Sequence, residues 1–295
     1  MNLPRWVKAA VILAPFTLSG VAFAAVSPLT AFDALVPKDR AGRQVAHAIP
    51  YGEGARRKLD VYAPRGAAVD HRPVVVFFYG GSWNSGTRAG YSFVGRALAA
   101  RGIVTVIPDY RLVPEVRYPG FVEDGAAAVR WTRAHCGEYG GDPDRIVLAG
   151  HSAGAYIAAM LATDARFLGA DQAKLKGLVG LAGPYDFAPF DVASSQAAFG
   201  QWPDPAETQP ITWAGAGDPP ALLLVGADDT LVRPRNSEAL ARKLRAGGVA
   251  AELVSYRGIG HVGLLLAVAK PFRKRAGVLD AFAAFVEKVT GNQVN

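Results

Sequence analysis

Ser152 lies in the sequence GHSAG, residues 150–154, where a short apolar run gives way to an alanine-rich segment. The pattern is typical of a nucleophile on a tight strand-to-helix turn, because glycines leave room for the turn and for neighbouring backbone. The hydroxyl would then project beside the free N–H groups of the following helix. Glycine and serine are also ordinary turn residues, so the motif alone does not identify the chemistry.

A serine hydroxyl is a weak nucleophile without a neighbouring base, and the position of His261 suits that role. It follows the last predicted strand in the glycine-rich segment RGIGHVG, at the edge of the sheet where sites of open α/β sheets collect. Four other histidines precede the central strands, lie late in a helix or adjoin the serine: His47, His71, His135 and His151. At His151 the sharp turn is expected to direct the side chain away from the site.

Two adjacent carboxylates could orient the imidazole. Asp228 and Asp229 follow the predicted strand 222–225, so both fall at the same edge of the sheet as Ser152. The chain order Ser, Asp, His is that of the α/β-hydrolases. Asp229 is favoured, and Asp228 remains the alternative that could instead cap or brace the loop.

Acyl transfer also requires donors for a developing oxyanion. A continuous apolar run at 74–79 ends in Gly80-Gly81-Ser82, and such a turn can point backbone N–H groups into a cleft. Gly81, Ser82 and Ala153 are therefore the predicted oxyanion donors.

Apolar, β-branched runs alternate with helical patterns after about residue 45. The predicted strands are 57–62, 74–79, 103–107, 146–149, 178–181, 222–225 and 252–256, and the predicted helices are 93–100, 121–135, 153–162, 237–246 and 276–289. This alternation predicts an α/β fold with a mostly parallel central sheet and helices on both faces.

One segment breaks the alternation. Residues 187–220 are rich in proline, glycine and aromatic residues, and long irregular insertions in compact domains are usually functional. We expect a single catalytic domain over residues 25–295, with 187–220 forming a pocket wall or small cap.

Six stretches together resemble α/β-hydrolase carboxylesterases of the hormone-sensitive-lipase and acetyl-esterase type. They are YGGSW (79–83), DYRLVPE (109–115), GHSAG (150–154), GPYD (183–186), GADDTLV (226–232) and GIGHVG (258–263). The chain is most similar to the small branch of feruloyl-esterase-like, acetylxylan-esterase-like and kynurenine-formamidase-like enzymes. The resemblance implies the α/β-hydrolase fold and a triad of Ser152, Asp229 and His261, since the family's acid stands three residues after the glycine.

The chain also departs from that pattern. Lipase-like members usually carry HGGG where this chain has YGGS at 79–82. Asp109 and Arg111 are expected to brace the oxyanion loop. Little sequence precedes residue 45 from which to build a large cap, which favours an open pocket for small or exposed esters.

The predicted function is a serine carboxylesterase acting on a small-molecule ester. Amide or formamide cleavage by the same residues is the alternative within hydrolases. A non-catalytic binding protein is the alternative from another class, which the retained Ser152 and His261 disfavour.

The amino-terminal segment predicts export. Arg5 and Lys8 precede an apolar stretch at 9–23, and Ala22-Phe23-Ala24 resembles a signal-peptidase site. We expect a signal peptide over residues 1–24, no stable membrane insertion after its cleavage, and a periplasmic or secreted protein. Anchoring of the protein in the membrane by residues 7–26 is the alternative.

Composition excludes several other classes. The formal net charge is +7, but the basic residues are scattered and form no nucleic-acid-reading motif. No spacing indicates a metal site or a nucleotide cofactor, and the single cysteine, Cys136, cannot form an internal disulfide. The sequence does not predict the oligomeric state.

Overall fold

The computed structural model describes residues 28–66 and 71–291. Its centre is an eight-stranded sheet in the order β1-β2-β4-β3-β5-β6-β7-β8. The strands are β1 (Gly42–Pro50), β2 (Lys58–Pro64), β3 (Arg72–Phe78), β4 (Val104–Pro108), β5 (Gly141–His151), β6 (Gly177–Leu181), β7 (Ala221–Gly226) and β8 (Ala251–Tyr256). β2 runs antiparallel to both of its neighbours, and every other pair is parallel.

Helices cover both faces of this sheet. They are α1 (Pro28–Leu35), α2 (Ser92–Ala99), α3 (Gly120–His135), α4 (Ala153–Thr163), α5 (Ala165–Leu168), α6 (Ala193–Phe199), α7 (Pro210–Trp213), α8 (Arg235–Ala246), α9 (His261–Leu266) and α10 (Val278–Thr290). α2 packs against α10, and α3 packs against α4. α7 contacts both α4 and α8. Covered on two sides, β4, β6 and β7 are buried along their whole length, which explains their continuous apolar runs.

The predicted fold class is confirmed by this architecture and by the structural relatives described below. Six elements were not predicted: β1, α1, α5, α6, α7 and α9. β1 is an edge strand with register shifts and mixed burial, so it lacks the apolar run that marks the inner strands. α1 was missed because it is short, although Leu29, Phe32 and Val36 have helical spacing.

Residues 187–220 form α6, α7 and irregular chain anchored by aromatic side chains. The indole of Trp83 stacks on Phe187 with ring centroids 5.8 Å apart and meets Phe199 edge-on at 4.8 Å. Tyr156 of α4 also contacts both phenylalanines. The segment is therefore packed against the loop that follows β3, next to the carboxyl edge of the sheet.

In the described ranges, no helix is long and apolar enough to cross a membrane. The predicted signal peptide, residues 1–24, lies outside the described residues, as does the alternative anchor at 7–26.

Candidate active site

Ser152 occupies a strained turn between β5 and α4. Its backbone has φ 55° and ψ −125°, a left-handed conformation that costs a non-glycine residue about 1–3 kcal/mol. The turn is held on both sides, because Ser152 N donates to Leu181 O at 2.9 Å and Tyr156 N donates to Ser152 O at 3.1 Å. The hydroxyl lies at the carboxyl edge of the sheet.

The glycines of the motif are required by close packing. A Cβ on Gly154 would lie 2.1 Å from Phe78 O, and one on Gly150 would lie 2.4 Å from the backbone of Gly154. The start of α4 therefore packs directly against the end of β3. This contact brings Ser152 next to the loop that follows β3.

His261 and Asp229 are directly paired. Nδ1 of His261 lies 2.8 Å from Oδ2 of Asp229, and the side chains of His261 and Asp229 are 9% and 1% exposed. The other carboxylate oxygen, Oδ1, accepts hydrogen bonds from the N–H groups of Leu231 and Val232, each at 2.9 Å. Both oxygens of Asp229 are thus engaged, and its orientation toward the imidazole is determined by the backbone.

Asp228 points elsewhere. Its backbone N–H donates to Ile259 O at 3.0 Å, and its side chain is exposed with no hydrogen bond or ion pair within the described ranges. His261 is the first residue of α9, whereas the sequence had placed it in a loop.

Ser152 and His261 line one cavity but are not hydrogen-bonded to each other. Its volume is about 430 Å³. Within the described residues, the Ser152 hydroxyl makes no hydrogen bond. In unliganded enzymes such contacts are often long and tighten only when substrate binds.

The loop after β3 brings the predicted oxyanion donors to the same place. Gly81 has φ +142°, and a Cβ there would lie 2.2 Å from Ser85 O, so the loop requires glycine. Gly81 and Ser82 line the cavity with Ser152, and Ala153 is the first residue of α4. The N–H groups of Gly81, Ser82 and Ala153 donate no hydrogen bond to any other described residue.

Buried tyrosines support this loop from below. Gly80 N donates to the Tyr91 hydroxyl at 3.0 Å, and the Tyr110 hydroxyl donates to Tyr79 O at 2.8 Å. Arg56 donates to the Tyr79 hydroxyl at 2.8 Å and to Gly86 O at 2.7 Å. Burial raises the pKa of Tyr79, Tyr91 and Tyr110, so all three remain neutral hydrogen-bonding groups.

The expectation for Asp109 and Arg111 needs one correction. Asp109 accepts a hydrogen bond from Arg88 N at 2.7 Å and forms an ion pair with the Arg88 guanidinium. Arg88 follows the oxyanion loop shortly along the chain. Arg111 instead pairs with Asp124 of α3, with 2.7 Å between Nη2 and Oδ1. It therefore ties its own segment to a helix and does not contact the loop.

His151 lies in the candidate site, although its side chain was expected to point away from it. Its ring lies 4.7 Å from the His261 ring, and its Nε2 lies 3.3 Å from His261 O. Burial, with a smaller contribution from His261, lowers the pKa of His151 to about 3, so its imidazole is neutral near pH 7. His151 Nδ1 has no hydrogen-bond partner among the described residues. The turn at Ser152 thus leaves His151 beside the predicted base.

Two cavities meet at Ser152, and Ser82, Ser152 and Leu231 line both. The first, here called the apolar cavity, also contains His261 and is walled by Leu29, Phe32, Leu35, Val262, Leu265 and Leu266. The second, here called the arginine-lined cavity, has a volume of about 540 Å³ and is bounded by Ala153, residues 187–195, Arg233 and Arg235. α1 therefore supplies part of a wall, although little sequence precedes residue 45 and no large cap was expected from it.

No cluster of three or more His, Cys, Asp or Glu side chains suited to a metal ion occurs in the described part of the chain.

Comparison with known proteins extends these observations. The BD-FAE family model matches residues 59–244, more than half of the chain. The chain is 31% identical to an isoprenylcysteine alpha-carbonyl methylesterase of Arabidopsis thaliana over 76% of its own length and 58% of that protein. It is 30% identical to esterase LipC of Mycobacterium tuberculosis over 72% of its length and 58% of LipC. The chain thus spans little more than half the length of these relatives.

Solved structures share the fold. Esterase B from Lactobacillus rhamnosis has a TM-score of 0.77 at 20% identity, covering 90% of this chain and 93% of the esterase. A truncated carbohydrate esterase from gut microbiota has a TM-score of 0.73 at 19% identity, covering 86% and 99%. At such identities the likeness shows the fold alone.

The resemblance to α/β-hydrolase carboxylesterases is confirmed, while the feruloyl-esterase-like and kynurenine-formamidase-like branch stays a prediction. The protein belongs to the BD-FAE family of α/β-hydrolase carboxylesterases.

Proposed function

We propose that the protein hydrolyses carboxylic esters through a triad of Ser152, His261 and Asp229. The observation that carries this proposal is that a strained serine turn and a histidine paired with an aspartate line one cavity. Esterase relatives with 30% and 31% identity support ester substrates.

The geometry suits each step of acyl transfer. Ser152 Oγ attacks the ester carbonyl while His261 Nε2 takes its proton, and Asp229 stabilises the resulting imidazolium. The negative oxygen of the tetrahedral intermediate is held by the N–H groups of Gly81, Ser82 and Ala153. His261 then gives its proton to the leaving alkoxide, and water releases the acyl group by the reverse sequence.

Covalent labelling combined with turnover tests the proposal. A fluorophosphonate should add one adduct, mapped by mass spectrometry to Ser152, and should abolish hydrolysis of p-nitrophenyl acetate. Ser152→Ala should lose both labelling and turnover with an unchanged circular dichroism spectrum. Labelling at a different serine, or turnover retained by Ser152→Ala, would exclude this nucleophile.

We further propose that the protein is exported. The proposal rests on the basic and apolar pattern of residues 1–24. Sequencing the mature amino terminus should find a start near Ala25. A mature chain that retains Arg5 and Lys8 would favour the anchor alternative.

A further inference from the structure

We propose that the preferred substrate is an alkyl monoester of a dicarboxylic acid, with its alkyl group in the apolar cavity and its free carboxylate in the arginine-lined cavity. The inference rests on the proposed function and names the substrate class for the same site. It starts from the contrast between the two cavities that meet at Ser152.

The lining of the apolar cavity suits an alkyl group. In the part of the chain that the structure describes, its lining contains no Asp, Glu, Lys or Arg side chain. Its rim includes Leu35 and Leu231, exposed by 67% and 70%. Exposed apolar side chains around a cavity indicate an apolar ligand, because covering them removes apolar surface from water.

The arginine-lined cavity has unpaired positive charge. Arg233 and Arg235 are exposed, and within the described ranges neither forms an ion pair or donates a side-chain hydrogen bond. Asp191 is the only carboxylate in the described lining, and it pairs with neither arginine. The guanidinium groups are therefore free to bind a carboxylate, for which their planar donor geometry is well matched.

The position of His261 determines which part of the ester enters which cavity. The leaving oxygen must lie beside His261 Nε2, because that atom donates its proton. His261 lines the apolar cavity and is absent from the lining of the other, where Ala153 lies. The alcohol part therefore occupies the apolar cavity, and the acyl part extends toward Arg233 and Arg235.

The reaction balances as an ordinary hydrolysis. Ser152 Oγ forms a bond with the carbonyl carbon, the bond between that carbon and the alkoxy oxygen breaks, and the alcohol leaves with the proton from His261. Water then releases the dicarboxylic acid and restores Ser152. No oxidant or other co-reactant is required.

The test compares monobutyl succinate with butyl succinamate, in which a neutral amide replaces the carboxylate. Wild-type kcat/KM should be about tenfold higher for monobutyl succinate, and high salt should reduce that ratio. Arg233→Gln combined with Arg235→Gln should reduce the ratio of the two kcat/KM values to about one, which would abolish the preference for monobutyl succinate. Asp191→Asn should increase the preference for monobutyl succinate over butyl succinamate.

Arg242→Gln provides the matched control, because this exposed arginine lies on α8 with Arg235 but outside both cavities. It should keep the wild-type ratio. An equal rate for the two esters in wild type, or a preference that survives the double variant, would overturn the proposal. Faster hydrolysis of butanoyl glycolate than of monobutyl succinate would also overturn it, because the anionic group would then lie on the alcohol side.

A binding measurement separates this inference from the proposed function. Calorimetry with Ser152→Ala should find tighter binding of monobutyl succinate than of butyl succinamate, and the difference should vanish when both arginines are replaced. This result does not depend on turnover. Failure of wild type to hydrolyse p-nitrophenyl acetate would reject the esterase proposal, whereas equal binding of the two butyl esters would reject the substrate class.

Discussion

Ser152 and Leu231 line the same two cavities but are held in different ways. Ser152 is 9% exposed, on a turn fixed by backbone hydrogen bonds and by glycine packing against β3. Leu231 is 70% exposed, and only its backbone N–H is anchored, to Asp229. The residues proposed to act on the ester are thus positioned by the core, while much of the surrounding wall is solvent-facing side chain. Substitutions near Ser152 should therefore have larger effects on activity or stability than substitutions in the exposed wall.

The largest effect is expected at Asp229. In Asp229→Asn the amide oxygen would keep the bonds to Leu231 and Val232, so its NH₂ group would face His261 Nδ1. That arrangement places the imidazole proton on Nε2, so Nε2 cannot accept the serine proton. We expect a loss of about 10⁴-fold in kcat for p-nitrophenyl acetate.

Asp228→Asn is the control for that variant. Its side chain is exposed and unpaired within the described part of the chain, so kcat should stay within about twofold. If Asp228→Asn is the inactive variant and Asp229→Asn remains active, the proposed triad is wrong by one residue.

Gly154 tests how strongly the core positions the serine. Gly154→Ala would place a methyl group 2.1 Å from Phe78 O, where no flexible side chain can move aside. We expect the free energy of unfolding to fall by about 3 kcal/mol or more in urea titration. Gly263→Ala in α9, where the nearest atom lies at 3.6 Å, should change it by less than about 1 kcal/mol. Equal stabilities would contradict the close packing of α4 against β3.

His151 gives the core a dependence on pH. Its pKa falls from an ordinary value of 6.5 to about 3, so the unfolded chain binds a proton that the folded chain does not. Stability from this residue is therefore present above about pH 6.5 and is lost as the pH falls toward 3, by up to about 1.4 kcal/mol per pH unit.

His151→Gln removes that titration. As the pH is lowered from 7 to 4, the unfolding free energy of wild type should fall relative to that of His151→Gln. Urea denaturation at each pH measures both values. A difference that stays constant over this range would show that His151 titrates normally in the folded protein.

The smallest effect is expected at the walls. Replacing Leu35 and Leu231 with serine should lower kcat/KM for octyl acetate about fivefold, because part of a long alkyl group loses apolar contact. Methyl acetate hydrolysis should not change. Val192→Ser is the matched control, since Val192 is 55% exposed but lines only the arginine-lined cavity. An equal effect on both acetates would show that the rim does not contact the alkyl group.

Local sequence was sufficient for much of the fold and for naming the candidate site residues other than His151. Inner strands covered on both faces must be continuously apolar, so β3, β6 and β7 were visible as runs. A serine between two glycines at a strand-to-helix junction is likewise a local pattern. The edge strand β1 and the short helices α1, α5, α6, α7 and α9 lack such strong signals and were not predicted.

The sequence by itself determined which residue types follow each strand, and hence that Ser152, His261 and a neighbouring aspartate could meet. Tertiary structure decided that Asp229 faces the imidazole, because its other oxygen is occupied by Leu231 N and Val232 N. It also placed His151 against His261 and α1 over the apolar cavity. These relations depend on side-chain direction and on contacts between distant segments, which neither residue spacing nor hydrophobic periodicity specifies.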